Sequence, residues 1–193
     1  ILALVEQYRS QLVSSGRAYT LLAMHEAGIP ADGLYAGRIL NDLVTTVLPS
    51  ANGNHWKDDR RTGLVRSPVQ ATSLVLAALS RIQPDHPLIE ETARWLVVAR
   101  TAEPWQSDAE RGQAIMGLSD FAASTGELLS DYAYRVSVDG DQVLSGNFTA
   151  NRPATSESTS LALPDLGRGV SLLEFVKAAA SPGRLYYTLQ LRY

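Results

Sequence analysis

The chain has 193 residues, 45% of them hydrophobic, which is enough for a core of ordinary domain size and excludes a disordered polypeptide. A net charge of −3 with no basic run anywhere argues against a nucleic-acid partner, because phosphates require a concentrated positive face. The lack of cysteine excludes disulfides, thiolate metal sites and sulfur nucleophiles within these residues.

Ile1, Leu4, Val5, Tyr8 and Leu12 recur at helical spacing, and Ser14-Ser15-Gly16 is expected to end that first helix. Ile1 begins inside the apolar pattern with no signal-peptide layout, so it reads as a cut and not as a natural start. Arg17 to Ala27 predicts a second helix with Leu21, Leu22 and Met24 on its apolar side, stopped by Gly28-Ile29-Pro30. Asp32 is placed to cap a third helix running to about Leu48. Periodicity then vanishes from Pro49 to Arg66, a connector that reads as too polar for the core and is longer than most helix–helix loops.

Ser67-Pro68-Val69-Gln70 carries a capping pattern with proline in the first helical position, followed by Leu74 to Leu79, apolar nearly all round. That composition predicts an inner helix buried on most sides. After Pro84-Asp85-His86-Pro87, Leu88 to Arg100 places Glu90, Glu91 and Arg94 opposite Ile89, Ala93 and Leu96, as in an outer helix facing solvent. Ser107-Asp108-Ala109-Glu110 repeats the capping logic, with Ala114, Ile115, Leu118, Phe121 and Ala122 as the expected apolar face. Ala77 to Ile82 matches Met116 to Phe121 in pattern 39 residues later, an offset suited to one helical hairpin. Five or six helices are expected, closed by Gly126.

Beyond Asp131 the period changes to that of strands. Tyr132 to Val138 alternates, Asp139-Gly140 is a two-residue hairpin turn, and Val143 to Ala150 returns. Val170 to Val176 favours strand, and Leu185 to Tyr193 alternates again after Ser181-Pro182-Gly183. The predicted fold class is mainly α with a C-terminal all-β part: a partial α/α-hairpin toroid over 1–130 followed by part of a β-sandwich over 131–193. Three or four strands cannot bury both faces by themselves.

Several fragments in order resemble the C-terminal part of the thioester domain of bacterial α2-macroglobulin-like proteins and the β-module that follows it. They are His55-Trp56-Lys57-Asp58-Asp59, Ala71 to Leu79, Arg94 to Arg100 and Trp105-Gln106-Ser107. Thr125-Gly126-Glu127-Leu128 with Asp131-Tyr132, and Gly183 to Thr188, complete the set, spanning about Gly16 to Tyr193. The resemblance implies a fragment, non-catalytic by itself, of an envelope-associated endopeptidase inhibitor that traps proteases after cleavage of a bait segment. It implies target proteases as partners through the full-length protein, contacts with neighbouring domains of the same chain, no cofactor, and a periplasmic, cell-envelope or extracellular location. Membrane contact would come only through parts outside this fragment. The family's reactive Cys-x-Glu-Gln motif is absent here, so it lies upstream of Ile1 or this member lacks the thioester.

Candidate site residues are few. His55 stands in the long connector, and in some thioester domains a histidine assists acyl transfer; the alternative is a solvated connector histidine without an activating partner. Trp56 and Trp105 each precede an inner-type helix, where the ring can cover a helix end while its N–H bonds a carbonyl, or can form an interaction surface. His25 and His86 lack the spacing of a metal site, and Glu90-Glu91 and Asp58-Asp59 are neighbours that cannot converge as an acid/base pair. Asp58-Asp59-Arg60-Arg61 reads as a local ion cluster. A competing class is an α/α-toroid enzyme such as a terpenoid cyclase or glycoside hydrolase, whose cavity-lining acids these helices supply sparsely.

Overall fold

The computed structural model describes residues 2–58, 65, 67–102, 105, 107–149, 157–162, 166, 169–178, 183–187 and 189–190. Two compact units divide the chain, Ile1–Thr125 and Gly126–Tyr193. The first is helical and the second is built on a three-stranded antiparallel sheet.

In the first unit the elements are α1 (Leu2–Tyr8), α2 (Ser14–Glu26), α3 (Leu34–Thr45), a small hairpin β1 (Leu48–Ser50) and β2 (Gly53–His55), then α4 (Pro68–Ile82), α5 (Leu88–Ala102) and α6 (Asp108–Ser124). Helix α4 is the centre of the packing. It starts where the sequence expects: the Ser67 hydroxyl accepts the Gln70 N–H, Pro68 takes the first turn, and every residue from Gln70 to Ser80 is buried. It packs against α2, α5 and α6, while α3 lies on α2. Each of Leu74, Val75, Leu76 and Leu79, at most 5% exposed, contributes about 1.5–3 kcal/mol of burial.

Helices α4 and α6 touch through backbone. A Cβ added at Gly117 would stand 2.6 Å from the Ser73 carbonyl oxygen, so only glycine permits this approach. Arg81 makes a two-pronged contact with Asp120, both N–O distances 3.0 Å, and reaches Glu26 at 3.5 Å. Arg81 and Asp120 hold equivalent positions in the two pattern repeats, and with Glu26 they gather the C-terminal parts of α2, α4 and α6. Arg81 is 40% exposed on its side chain, so the pair contributes no more than about 1 kcal/mol and serves register more than stability.

Helix α5 faces as expected, with Ile89, Thr92, Ala93 and Leu96 buried and Glu91 paired with Arg94 at 3.2 Å on the outside. Helix α6 has the full capping box at Ser107 and Glu110. Its buried face is Ala114, Gly117 and Phe121, and Ile115 is not part of it: Ile115 is 60% exposed. At the closest approach it is Gly117 and not the larger Ile115 that faces α4, because the backbones lie so close.

Three boundaries differ from the sequence expectation. Ser14-Ser15-Gly16 does not end the first helix; α1 stops at Tyr8, a 3-10 turn follows over Arg9–Gln11, and the serines open α2. Their N–H groups need acceptors at a helix start, and Asp58 supplies one by accepting the Ser15 N–H at 3.2 Å and the Ser15 hydroxyl. Asp32 does not cap α3, whose N-cap is Gly33 with no side-chain hydrogen bond, and α3 ends at Thr45 so that Leu48 can enter β1. The connector from Pro49 is not uniformly polar loop: it holds the β1–β2 hairpin and buries Gly53, Asn54, Trp56 and Val65. The expected partners of Asp58 in an ion cluster, Asp59, Arg60 and Arg61, lie outside the described residues.

The second unit has strands β3 (Tyr132–Val138), β4 (Asp141–Phe148) and β5 (Leu173–Lys177) in the order β4-β3-β5. Asp139 and Gly140, both with positive φ, make the two-residue turn the sequence predicts. The sheet is one-sided. Tyr132, Tyr134, Val136, Leu144, Phe148, Leu173 and Phe175 form an apolar cluster with Leu185, while Arg135, Ser145, Asn147 and Glu174 occupy the alternate positions. Tyr134 covers Gly146, where a Cβ would fall 2.9 Å from the ring, and its hydroxyl donates to Glu157 at 2.5 Å.

Of the expected final strand over Leu185 to Tyr193, residues 188 and 191–193 lie outside the described residues. Among the described residues of 183–190 none is in a strand; Tyr187 stacks on Phe175 at 3.9 Å, the Tyr132 hydroxyl donates to the Arg184 carbonyl at 2.6 Å, and Tyr186 bonds Glu127. These side-chain contacts hold the described part of the segment.

Candidate functional site

The connector is where the sequence-nominated residues fall, and its hairpin positions them. The Ala51-Asn52 turn is closed by the Ser50 hydroxyl donating to the Gly53 carbonyl at 2.8 Å. Gly53, at φ 124°, is pressed on α5 so closely that a Cβ would stand 2.1 Å from the Glu91 carbonyl oxygen and 3.1 Å from the Trp95 nitrogen. Any other residue would push the hairpin off the helix.

That contact sets His55 flat against Trp95, with ring centroids 4.7 Å apart and planes 7° from parallel. Burial lowers the His55 pKa, and a backbone hydrogen bond at Leu48 opposes the shift without reversing it. The imidazole is therefore neutral near pH 7, and its buried Nδ1 has no hydrogen-bond partner among the described residues. His55 is not freely solvated, and no hydrogen bond joins it to a nucleophile among the described residues.

One residue further, Trp56 turns inward and is fully buried. Its indole N–H donates to the Leu43 carbonyl at 2.9 Å, its backbone N–H donates to the Thr72 hydroxyl at 3.0 Å, and that hydroxyl faces the Trp56 carbonyl at 3.3 Å. Trp56 thus ties α3 through its ring to α4 through its backbone, and Asp58, two residues on, caps α2. Successive connector residues grip α5, α3, α4 and α2 in turn.

No family model and no curated protein sequence matches this chain.

Trp105 is separate from this cluster. It is half-buried, with the Arg100 guanidinium 5.8 Å from its ring centre, and its indole nitrogen finds no partner among the described residues. No ring contact or hydrogen bond joins it to His55 or Trp56 among those residues. The other two histidines are elsewhere: His25 is exposed in the last turn of α2, and the His86 Nδ1 accepts the Leu88 N–H at 3.2 Å at the start of α5. Among the described residues no group of three His, Asp or Glu side chains is placed to hold a metal ion. The structure brings His55 and Trp56 onto one hairpin but points them at different helices.

Sequence reasoning missed Gly53, Asp58, Thr72 and Trp95 as members of this cluster. The signal available was Asn52-Gly53, a turn-forming pair between Leu48 and His55. Strands of three residues are too short for a period-2 pattern to disclose them, and Thr72 and Trp95 lie within helices that read as plain packing.

Proposed function

We propose that the chain is a non-catalytic scaffold piece of an α2-macroglobulin-like protease inhibitor, in which its helical unit is part of an α/α toroid and its sheet unit is part of a β-sandwich. The observation that carries this reading is the repeated helical hairpin: α4 and α6 adjoin with equivalent residues Arg81 and Asp120 paired, and the outer-type helix α5 connects them. A helical unit of that design followed by a sheet with one apolar face fits the domain order of the resemblance.

In this reading target proteases are met by the full-length protein, with the chain acting in the periplasm, at the cell envelope or outside the cell. No helix among the described residues is long and apolar enough to cross a membrane. The chain carries no cysteine, so a thioester in the parent protein would use a cysteine outside these residues. The connector cluster then serves to fix helix positions, and His55 is a packed ring with no assigned acyl-transfer role.

The test uses the full-length protein. After exposure to an endopeptidase, trapping predicts faster gel migration, continued cleavage of a small peptide substrate, and protection of a large protein substrate. Unchanged migration together with undiminished cleavage of the large substrate would reject the assignment.

A further inference from the structure

Asn52 and Gly53 are the only Asn-Gly pair in the chain, and they lie at the turn of the β1–β2 hairpin. Asn52 is exposed, and its side chain makes no hydrogen bond among the described residues. Gly53 pairs with Ser50 at the end of a three-residue ladder, the place where backbone bonds open most readily. Having no Cβ, it does not shield its backbone nitrogen from the neighbouring Asn52 amide. The comparable Asp-Gly steps are held by hydrogen bonds: the Gly33 N–H, after Asp32, donates to the Pro30 carbonyl at 3.0 Å, and Asp139, before Gly140, accepts the Leu172 N–H at 2.7 Å. Both also present a carboxylate, a poorer centre for attack than an amide. Asn54 is only 9% exposed, and Asn41 and Asn147 precede Asp42 and Phe148, whose side chains crowd the attacking nitrogen.

We propose that Asn52 is a site of spontaneous deamidation and isomerisation, and that its isoaspartyl product lifts the hairpin from α5. The Gly53 nitrogen attacks the Asn52 side-chain carbonyl carbon; a new C–N bond forms, the bond to the amide nitrogen breaks, and that nitrogen leaves as ammonia with the Gly53 proton. Water then opens the succinimide. Cleavage at the former side-chain carbonyl gives aspartate, and cleavage at the main-chain carbonyl gives isoaspartate, whose backbone runs through the former side chain. Aspartate keeps the chain length and stays at an exposed position, so the hairpin is retained. Isoaspartate inserts one more backbone carbon, about 1.5 Å of extra chain, into a two-residue turn. Gly53 cannot take up that length by moving inward, because a Cβ there would already stand 2.1 Å from the Glu91 carbonyl oxygen. The turn rises off the helix instead, which breaks the Ser50 hydroxyl bond to the Gly53 carbonyl and unstacks His55 from Trp95. None of this depends on the protease-trap reading.

The test ages the intact chain in mildly alkaline buffer, maps it by proteolytic digestion and mass spectrometry, and separates aspartyl from isoaspartyl peptides by chromatography. Asn52 should convert at least about tenfold faster than Asn41, Asn54 or Asn147, since only its neighbour lacks a Cβ, and isoaspartate should be among the products. Asn52→Gln, whose longer side chain must close a larger ring, should stay intact. In the purified isoaspartyl protein the Gly53, Asn54 and His55 amides should exchange hydrogen at least about tenfold faster than in unaged protein, whereas freshly made Asn52→Asp should match the unaged protein. Conversion of Asn52 no faster than that of the other three asparagines would overturn the site. Isoaspartyl protein whose hairpin amides exchange as in unaged protein would overturn the release.

Discussion

Two glycines of α6 offer a test of the helix packing in which one effect is common to both and the other is not. Replacing a helix-interior glycine with alanine gains about 0.5–1 kcal/mol from reduced backbone freedom in the unfolded chain. At Gly112 that is the whole effect, because a Cβ there meets nothing within 4 Å. At Gly117 the new Cβ would lie 2.6 Å from the Ser73 carbonyl oxygen and 3.2 Å from the Ser73 Cα. Those atoms belong to the backbone of a buried helix and cannot rotate away, so α6 must shift, at an overpacking cost of about 1–3 kcal/mol. Gly112→Ala should therefore stabilise the helical unit by up to about 1 kcal/mol, and Gly117→Ala should range from neutral to about 2.5 kcal/mol destabilised. Trp56, Trp95 and Trp105 all lie within Ile1–Thr125, so tryptophan emission during urea unfolding follows this unit alone and avoids treating two units as one transition. In thermal melts the two variants should differ by several degrees, roughly 3–5 °C per kcal/mol. Equal stabilisation of both variants would refute the close α4–α6 approach.

Three further outcomes follow from single contacts. Asp58→Ala removes the acceptor that Ser15 uses at the start of α2 and should cost about 0.5–2 kcal/mol by urea midpoint, with Asp58→Asn recovering most of it; identical losses in both variants would point to charge and not capping. Burial lowers the His86 pKa below its ordinary 6.5, so the unfolded chain takes the proton first. Its stabilising share is full above that ordinary value and is lost as pH falls toward the folded-state value; urea midpoints taken at about pH 7.5 and pH 5 should therefore drop more in the unmodified protein than in His86→Asn, which keeps an acceptor for Leu88 without titrating. Tyr134→Phe keeps the ring over Gly146 and deletes the bond to Glu157, which should lower protection of the β3 amides in hydrogen exchange by about 1–3 kcal/mol; unchanged protection would show that the hydroxyl contributes nothing.

The helical core is legible in the sequence wherever local signals agree. Helix α4 has a capping serine, a first-turn proline and an apolar run, and all of these point to one start and one buried state. The β3–β4 hairpin is legible for a similar reason, since Asp139-Gly140 demands positive φ between two alternating runs. The connector is opaque because its order is tertiary: Gly53, Trp56 and Asp58 are each placed by a different helix, and no local periodicity records that. On α6, hydrophobicity favours Ile115 over Gly117 for the buried face, whereas the close backbone approach selects the smaller residue. The alternation of Leu185, Tyr187 and Leu189 resembles a strand, but among the described residues of this segment none is in a strand, and stacking on Phe175 and hydrogen bonds from tyrosine hydroxyls hold them.

The connector's geometry also bears on what His55 can do. Catalysis by a histidine needs the ring to face a reacting group and a second group to orient it. Here one face of the imidazole is occupied by Trp95, the backbone bond at Leu48 engages the ring from its own hairpin, and the nearby residues Gly53 and Trp56 are each locked on helices. Moving His55 toward a substrate would therefore require lifting Gly53 from α5 or withdrawing a fully buried tryptophan from between α3 and α4. The lowered pKa has a separate cause: burial disfavours the charged ring, and no carboxylate among the described residues is arranged to restore it. A stacked imidazole with a lowered pKa, held between a glycine pressed on α5 and a fully buried tryptophan, is the behaviour of a packing residue.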